Sequence, residues 1–121
     1  MVRTIRGAVT TENMQESILA DTTVLLSEII ERNALRNDDI LSILFTSTRD
    51  LDAVYPAVAA RALGIMEAGL MCAQEMYVAG SLERCVRVLV TVESDKAQGD
   101  MQHAYLKDAA RLRPDLVKKG S

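Results

Sequence analysis

The segment from Met71 to Val92 reads MCAQEMYVAGSLERCVRVLVTV and carries the clearest structural signal in the chain. Its last part, from Cys85 to Val92, is a β-branched apolar run that contains a single cation, Arg87. Because alternate residues of a strand share a face, this run predicts a strand with its valines on one face and Arg87 on the other. An arginine in such a strand is costly unless something pairs with it.

The sequence allows two interpretations of Arg87. In the first, Arg87 forms a structural ion pair with Glu75 or with another carboxylate. In the second, Arg87 binds a ligand oxygen and Glu75 orients a ligand hydroxyl. The segment by itself favours the structural ion pair, because such pairs are common in folded proteins that use them for no chemistry.

The composition limits the classes of protein that the chain can represent. A length of 121 residues predicts a single domain, residues 1–121. The chain has 17 acidic and 14 basic residues, which argues against a nucleic-acid binder. No apolar run approaches the ~20 residues of a membrane span, and the charged N-terminal segment does not resemble a signal peptide. The two cysteines are expected to be free thiols, as in a cytoplasmic protein.

Hydrophobic periodicity predicts the order β-α-β-α-β-β, followed by a short strand and a short helix. The strands are expected at residues 2–10, 40–48, 69–74, 85–92 and 102–106, and the helices at residues 14–33, 56–63 and 107–112. This order is typical of an α+β fold with a mixed β-sheet and helices packed on one face. Residues 118–121 are expected to fray.

Local signals refine two of these elements. Asn13, with Glu16 three residues later, predicts a capped start of the long helix. Gly7 interrupts the first strand, and a glycine at such a position often marks a bulge or a close approach to another backbone or to a ligand.

Most familiar catalytic chemistries find no support in the sequence. One histidine, His103, and two distant cysteines do not form a standard metal site, so no metal is predicted. No nucleophile elbow, phosphate-binding loop or dinucleotide fingerprint is present, so no cofactor is predicted. What remains is a set of arginines on structured elements, with Glu75 and Tyr105: Arg6, Arg61, Arg87 and Arg113. Guanidinium groups bind carboxylates bidentately, so this set suits a small dicarboxylate.

Five short motifs, in order, resemble those of the small monofunctional chorismate mutases of the trimeric, pseudo-α/β-barrel class. The motifs are Arg3-x-Ile-Arg6-Gly7-Ala8, Ala53-Val-Tyr55-Pro56-Ala57, Cys72-Ala-Gln-Glu75-Met76, Cys85-Val-Arg87-Val88, and His103-Ala-Tyr105-Leu106 with Leu112-Arg113-Pro114-Asp115-Leu116. The resemblance implies an isomerase that converts chorismate to prephenate, the branch step toward phenylalanine and tyrosine. It also implies a homotrimer whose sheets form a pseudo-α/β barrel, with an active site between each pair of subunits.

The resemblance also implies roles for individual residues. Arg87 matches the arginine at the ether oxygen, and Arg6 and Tyr105 match residues that hold the substrate carboxylates. Glu75 and Cys72 match partners of the ring hydroxyl and of the far end of the substrate.

Further residues would complete the cleft. Its lining is expected to include Met71, Cys72, Ala73 and Gln74, partly through backbone groups. Three residues match the neighbouring subunit's side of the cleft: Tyr55, Ala57 and Arg61. The tail from about residue 113, which contains Arg113, is expected to be mobile and to close over the ligand.

Three positions depart from the family pattern. Val58 stands where some members carry a lysine, Met71 where a threonine is common, and Gln102 where an arginine is frequent. These differences leave Arg87 and Glu75 in place. They are expected to weaken the electrostatic field at the periphery of the site, and with it the affinity for substrate.

Two other functions are compatible with the sequence. The reactive-imine deaminases share a similar trimeric fold and also grip a carboxylate with an interfacial arginine, although their chemistry does not require Glu75 and Cys72 at this spacing. A trimer that binds a metabolite of the aromatic pathway without turnover is the second alternative. Binding in the absence of conversion would distinguish it from an enzyme.

Overall fold

The computed structural model describes residues 1–116, which form a five-stranded mixed sheet with helices. The strands are β1 (Val2–Thr10), β2 (Ile40–Ser47), β3 (Gly69–Gln74), β4 (Cys85–Glu93) and β5 (Ala104–Leu106), and the α-helices are α1 (Gln15–Arg32) and α2 (Ala57–Ala62). The strand order is β3-β2-β4-β1-β5. β4 is antiparallel to both of its neighbours, whereas the edge strands β3 and β5 run parallel to theirs. The predicted α+β fold and its element order are confirmed.

One face of the sheet packs against α1 and forms the core. The apolar stripe of α1 is buried there, as are alternate residues of the central strand: Val86, Val88, Val90 and Val92. Phe45 of β2 is fully buried in the same cluster. The side-chain alternation predicted for β4 is therefore confirmed. No helix within residues 1–116 is long and apolar enough to cross a membrane.

The opposite face of the sheet is largely open and carries both polar and apolar side chains. Leu44 and Leu89 are cross-strand partners on this face, and their exposed fractions are 37% and 40%. A short 3-10 helix, Lys107–Arg111, covers only one end of the face. There, Cys85 is buried with Ala8 and Ala109, and burial raises the pKa of its thiol.

The predicted cap of the long helix is wrong. Met14 occupies the N-cap position and provides no side-chain cap. The side-chain carbonyl of Asn13 instead accepts hydrogen bonds from the backbone N–H groups of Asp52 and Ala53, at 3.0 and 3.1 Å. Tertiary contact with a distant loop thus outcompetes the local cap, because both use the same acceptor atom.

Gly7 lies where β1, α1 and β5 meet. A Cβ atom at this position would stand 2.9 Å from Ile29 Cδ1 and 3.0 Å from the carbonyl oxygen of Ala104. Of the alternatives raised by the sequence, a close approach to another backbone is the one that the structure shows. The neighbouring strand cannot move away without breaking its pairing with β1, so this site tolerates no side chain without rearrangement.

Gly7→Ala is expected to lower the free energy of unfolding by about 1–3 kcal/mol, because the added methyl overpacks the junction. Chemical denaturation monitored by circular dichroism measures this change. Gly69→Ala is the matched control, since a Cβ atom there meets its nearest neighbours at 3.9 and 4.0 Å, an ordinary contact. Equal stability of the two variants would contradict the assigned close approach.

Candidate active site

Five of the predicted site residues meet around one cavity of about 340 Å³, here called the Arg87 cavity. They are Arg6, Glu75, Arg87, Tyr105 and Arg113. The register of the strand pairs explains why these side chains lie close together. Ala8 of β1 pairs with Arg87 on one side and with Tyr105 on the other, and Arg6 lies two residues before Ala8 on the same face. Antiparallel and parallel pairing with β1 thus brings side chains from three strands together.

Arg87 and Glu75 form a loose ion pair in the wall of the Arg87 cavity. Arg87 Nε lies 3.7 Å from Glu75 Oε1, longer than a hydrogen bond. The side chains are 48% and 30% exposed. A guanidinium group has five N–H donors, so this arrangement leaves donors of Arg87 for a ligand oxygen. Both initial interpretations of Arg87 therefore describe part of the geometry: it has a carboxylate partner, and it faces a cavity.

Glu75 is held more firmly than Arg87. Its backbone N–H donates to the carbonyl of Ser47 at 2.9 Å, which extends the pairing of β3 with β2. Its Oε1 accepts a hydrogen bond from the hydroxyl of Thr46 at 2.9 Å, and its Oε2 accepts one from the N–H of Met76 at 3.2 Å. Sequence reasoning did not identify Thr46. The strand order would have pointed to Thr46, because it places β2 between β3 and β4. That order was not assigned from the sequence.

Other predicted residues lie around different cavities of the chain. Tyr55, Ala57, Arg61 and Cys72 line one of about 300 Å³, together with Val58. Ala73 and Gln74 line another, of about 570 Å³, with Tyr55 and Cys72. Met71 projects from the edge strand β3 and is 66% exposed. Within one chain, the predicted site residues other than Met71 therefore fall into two groups, one at the Arg87 cavity and one at the two cavities that share Tyr55 and Cys72.

Arg113 lines the Arg87 cavity, and its guanidinium group is hydrogen-bonded to Asp115. Its Nε and Nη2 donate to the two carboxylate oxygens of Asp115, at 3.2 and 2.9 Å. These hydrogen bonds hold the pKa of the Asp115 carboxyl below its usual range. The frayed end predicted at residues 118–121 lies outside the described residues, as does the part of the predicted mobile tail beyond residue 116.

His103 forms hydrogen bonds that hold β1 and the long helix in place. It is buried, and its Nδ1 accepts a hydrogen bond from the backbone N–H of Arg6 at 2.9 Å. The same residue's carbonyl accepts one from Arg32 at 2.9 Å. In the part of the chain that the structure describes, no group of three or more His, Cys, Asp or Glu side chains is placed to hold a metal ion.

Comparison with known proteins gives one consistent result. The family model for chorismate mutase type I matches residues 2–116. Chorismate mutase AroH of Bacillus subtilis is 45% identical over 118 residues, covering 96% of this chain and 93% of the relative. Chorismate mutase AroH of Thermus thermophilus is 42% identical, covering 96% and 97%.

A solved structure agrees with the sequence relatives. Chorismate mutase from Clostridium thermocellum superimposes with a TM-score of 0.88 at 49% identity, covering 89% of this chain and 97% of that one. The resemblance inferred from the five motifs is confirmed, and reactive-imine deaminases are not favoured. The chain belongs to the type I chorismate mutase family.

Proposed function

We propose that the protein converts chorismate to prephenate in the Arg87 cavity, the branch step toward phenylalanine and tyrosine. One observation carries the proposal beyond family membership: the guanidinium groups of Arg6, Arg87 and Arg113 line a single cavity. Both chorismate and prephenate carry two carboxylates, and a cavity lined by several guanidinium groups suits such a ligand.

The reaction is unimolecular, which fits the residues present. One C–O ether bond breaks and one C–C bond forms within the same molecule, so no nucleophile, proton shuttle or external reactant is required. The protein must hold a flexible diacid in its reactive chair-like shape. It must also provide a fixed positive charge where negative charge develops on the ether oxygen.

Arg87 is the residue proposed for the second task. Arg87 lies on β4, a central strand that pairs with β1 on one side and β2 on the other. The backbone that carries its guanidinium group is therefore held firmly. Glu75 stands 3.7 Å away and is proposed to accept a hydrogen bond from the ring hydroxyl. A cation fixed beside apolar walls stabilises developing charge more than the same cation does in water.

The substrate carboxylates are assigned to Arg6, Tyr105 and Arg113. Arg113 is hydrogen-bonded to Asp115, so a substrate carboxylate would have to replace Asp115 to bind it bidentately. Closure of the tail over the ligand would then include this exchange of partners.

We further propose that the protein is a homotrimer with active sites between subunits. The exposed leucines Leu44 and Leu89, which are cross-strand partners on the open face of the sheet, support assembly, because grouped exposed apolar side chains commonly mark interfaces. The separation of the predicted site residues into two groups also supports it. In this arrangement the group with Tyr55, Ala57, Arg61 and Cys72 would face the Arg87 cavity of a neighbouring copy.

A cytoplasmic location completes the proposal. Both cysteines, Cys72 and Cys85, are free thiols, which is the usual condition in a reducing compartment.

A direct assay tests the proposed reaction. Purified protein is mixed with chorismate, the loss of chorismate absorbance is followed, and prephenate is identified as the product. Rapid conversion is expected without added metal or cofactor. Binding of chorismate without conversion would favour a metabolite-binding trimer, and absence of both would contradict the assignment.

A further inference from the structure

Thr46 occupies a position that links the two central groups of the site. It lies on β2, where it is the register partner of Arg87 on β4 and of Ala73 on β3. Its hydroxyl is 2.9 Å from Glu75 Oε1, the same oxygen that lies 3.7 Å from Arg87 Nε. Glu75 Oε1 therefore accepts a hydrogen bond from Thr46 on β2 and also faces the Arg87 guanidinium on β4.

The direction of this hydrogen bond is determined by chemistry. The hydroxyl of Thr46 donates the hydrogen bond, and Oε1 of the Glu75 carboxylate accepts it. The backbone on both sides of Thr46 is held by sheet pairing, and its β-branched side chain has few accessible rotamers. The donor is thus carried by a rigid element, whereas Glu75 lies just beyond the end of β3, at the edge of the sheet.

We propose that Thr46 is a positioning residue of the active site, which fixes the Glu75 carboxylate relative to Arg87. This inference rests on the proposed function, because its effect is exerted through Glu75 on the bound ligand. Without the hydroxyl, Glu75 keeps its backbone anchor and the N–H of Met76 but loses the contact that orients Oε1. The Glu75 carboxylate can then rotate toward Arg87 and form a closer ion pair with it. That pair would occupy N–H donors of Arg87 that are otherwise available to the ligand.

Replacing Thr46 with valine tests the role of the hydroxyl, because valine keeps the branched shape and removes the donor. Thr46→Val is expected to lower kcat/KM roughly tenfold, the usual scale for losing a hydrogen bond to a charged group. Thr46→Ser keeps the donor and should recover most of the activity. Thr91→Val is the matched control, since Thr91 lies on the Arg87 side of β4 but four residues further along the strand.

A double-mutant cycle separates positioning from a general structural effect. The readout is the affinity for prephenate, measured by calorimetry, which needs no turnover. Thr46→Val should weaken binding several-fold when Glu75 is present and should have no further effect when Glu75 is already replaced by alanine. Near-native circular dichroism and unchanged assembly size would establish that the variants are folded.

Three outcomes would overturn the positioning role. These are wild-type kinetics for Thr46→Val, equal impairment of Thr46→Ser and Thr46→Val, or a valine effect that persists in the Glu75→Ala background. Failure of the proposed function gives a different pattern, in which the wild-type protein itself neither converts chorismate nor binds prephenate.

Discussion

Replacing Arg87 with alanine is expected to reduce kcat/KM at least a hundredfold, a loss of about 3 kcal/mol of transition-state stabilisation. The expected size comes from removal of a preorganised donor at the atom where charge develops. Arg87 suits that role because it lies on a central strand and its nearest carboxylate is 3.7 Å away. Most of the loss should be in kcat, since the developing charge exists only in the transition state.

Two further variants make the interpretation specific. Arg87→Lys keeps the positive charge but replaces a planar group that has five donors, so intermediate activity is expected. Arg36→Ala removes an arginine from the surface, where its side chain is 79% exposed and pairs only distantly with Asp39, and should leave the kinetics unchanged. Steady-state assays with chorismate measure all three. Near-wild-type activity of Arg87→Ala would remove Arg87 from the mechanism.

The second large effect is recovery of activity by mixing two inactive variants. Arg87 and Arg61 line different cavities of one chain, and the proposed trimer brings them together from neighbouring subunits. Arg87→Ala and Arg61→Ala homotrimers should each be strongly impaired. In a mixed trimer, one interface combines an intact Arg87 with an intact Arg61. Random assembly from equal amounts of the two chains should therefore restore about a quarter of the wild-type sites.

Co-expression of the two variants with different affinity tags allows mixed trimers to be isolated and assayed. Separately purified homotrimers, combined without time for subunit exchange, provide the control and should stay inactive. A site contained within one subunit would give no recovery in any mixture, because every chain lacks one of the two arginines. That result, or active monomers in ultracentrifugation, would contradict the shared cleft.

The individual strands and helices, and the buried face of β4, were predictable because they follow from local patterns. The alternation in β4 and the periodic apolar stripe of α1 each depend on neighbours in sequence, and both are confirmed. The five motifs likewise identified the family. The cap at Asn13 was the exception, because the backbone donors that it binds belong to Asp52 and Ala53, which are distant in sequence.

The sequence by itself determined the order of the elements, the buried faces of α1 and β4, and a short set of residues predicted to bind a diacid. Only the tertiary structure decided which of those residues share a cavity. The strand order placed Thr46 between Glu75 and Arg87, whereas Arg61, on helix α2, lines a different cavity from both. Side-chain patterning is a property of one strand, whereas a site depends on which strands become neighbours. That choice is made by long-range pairing and burial, which no local pattern encodes.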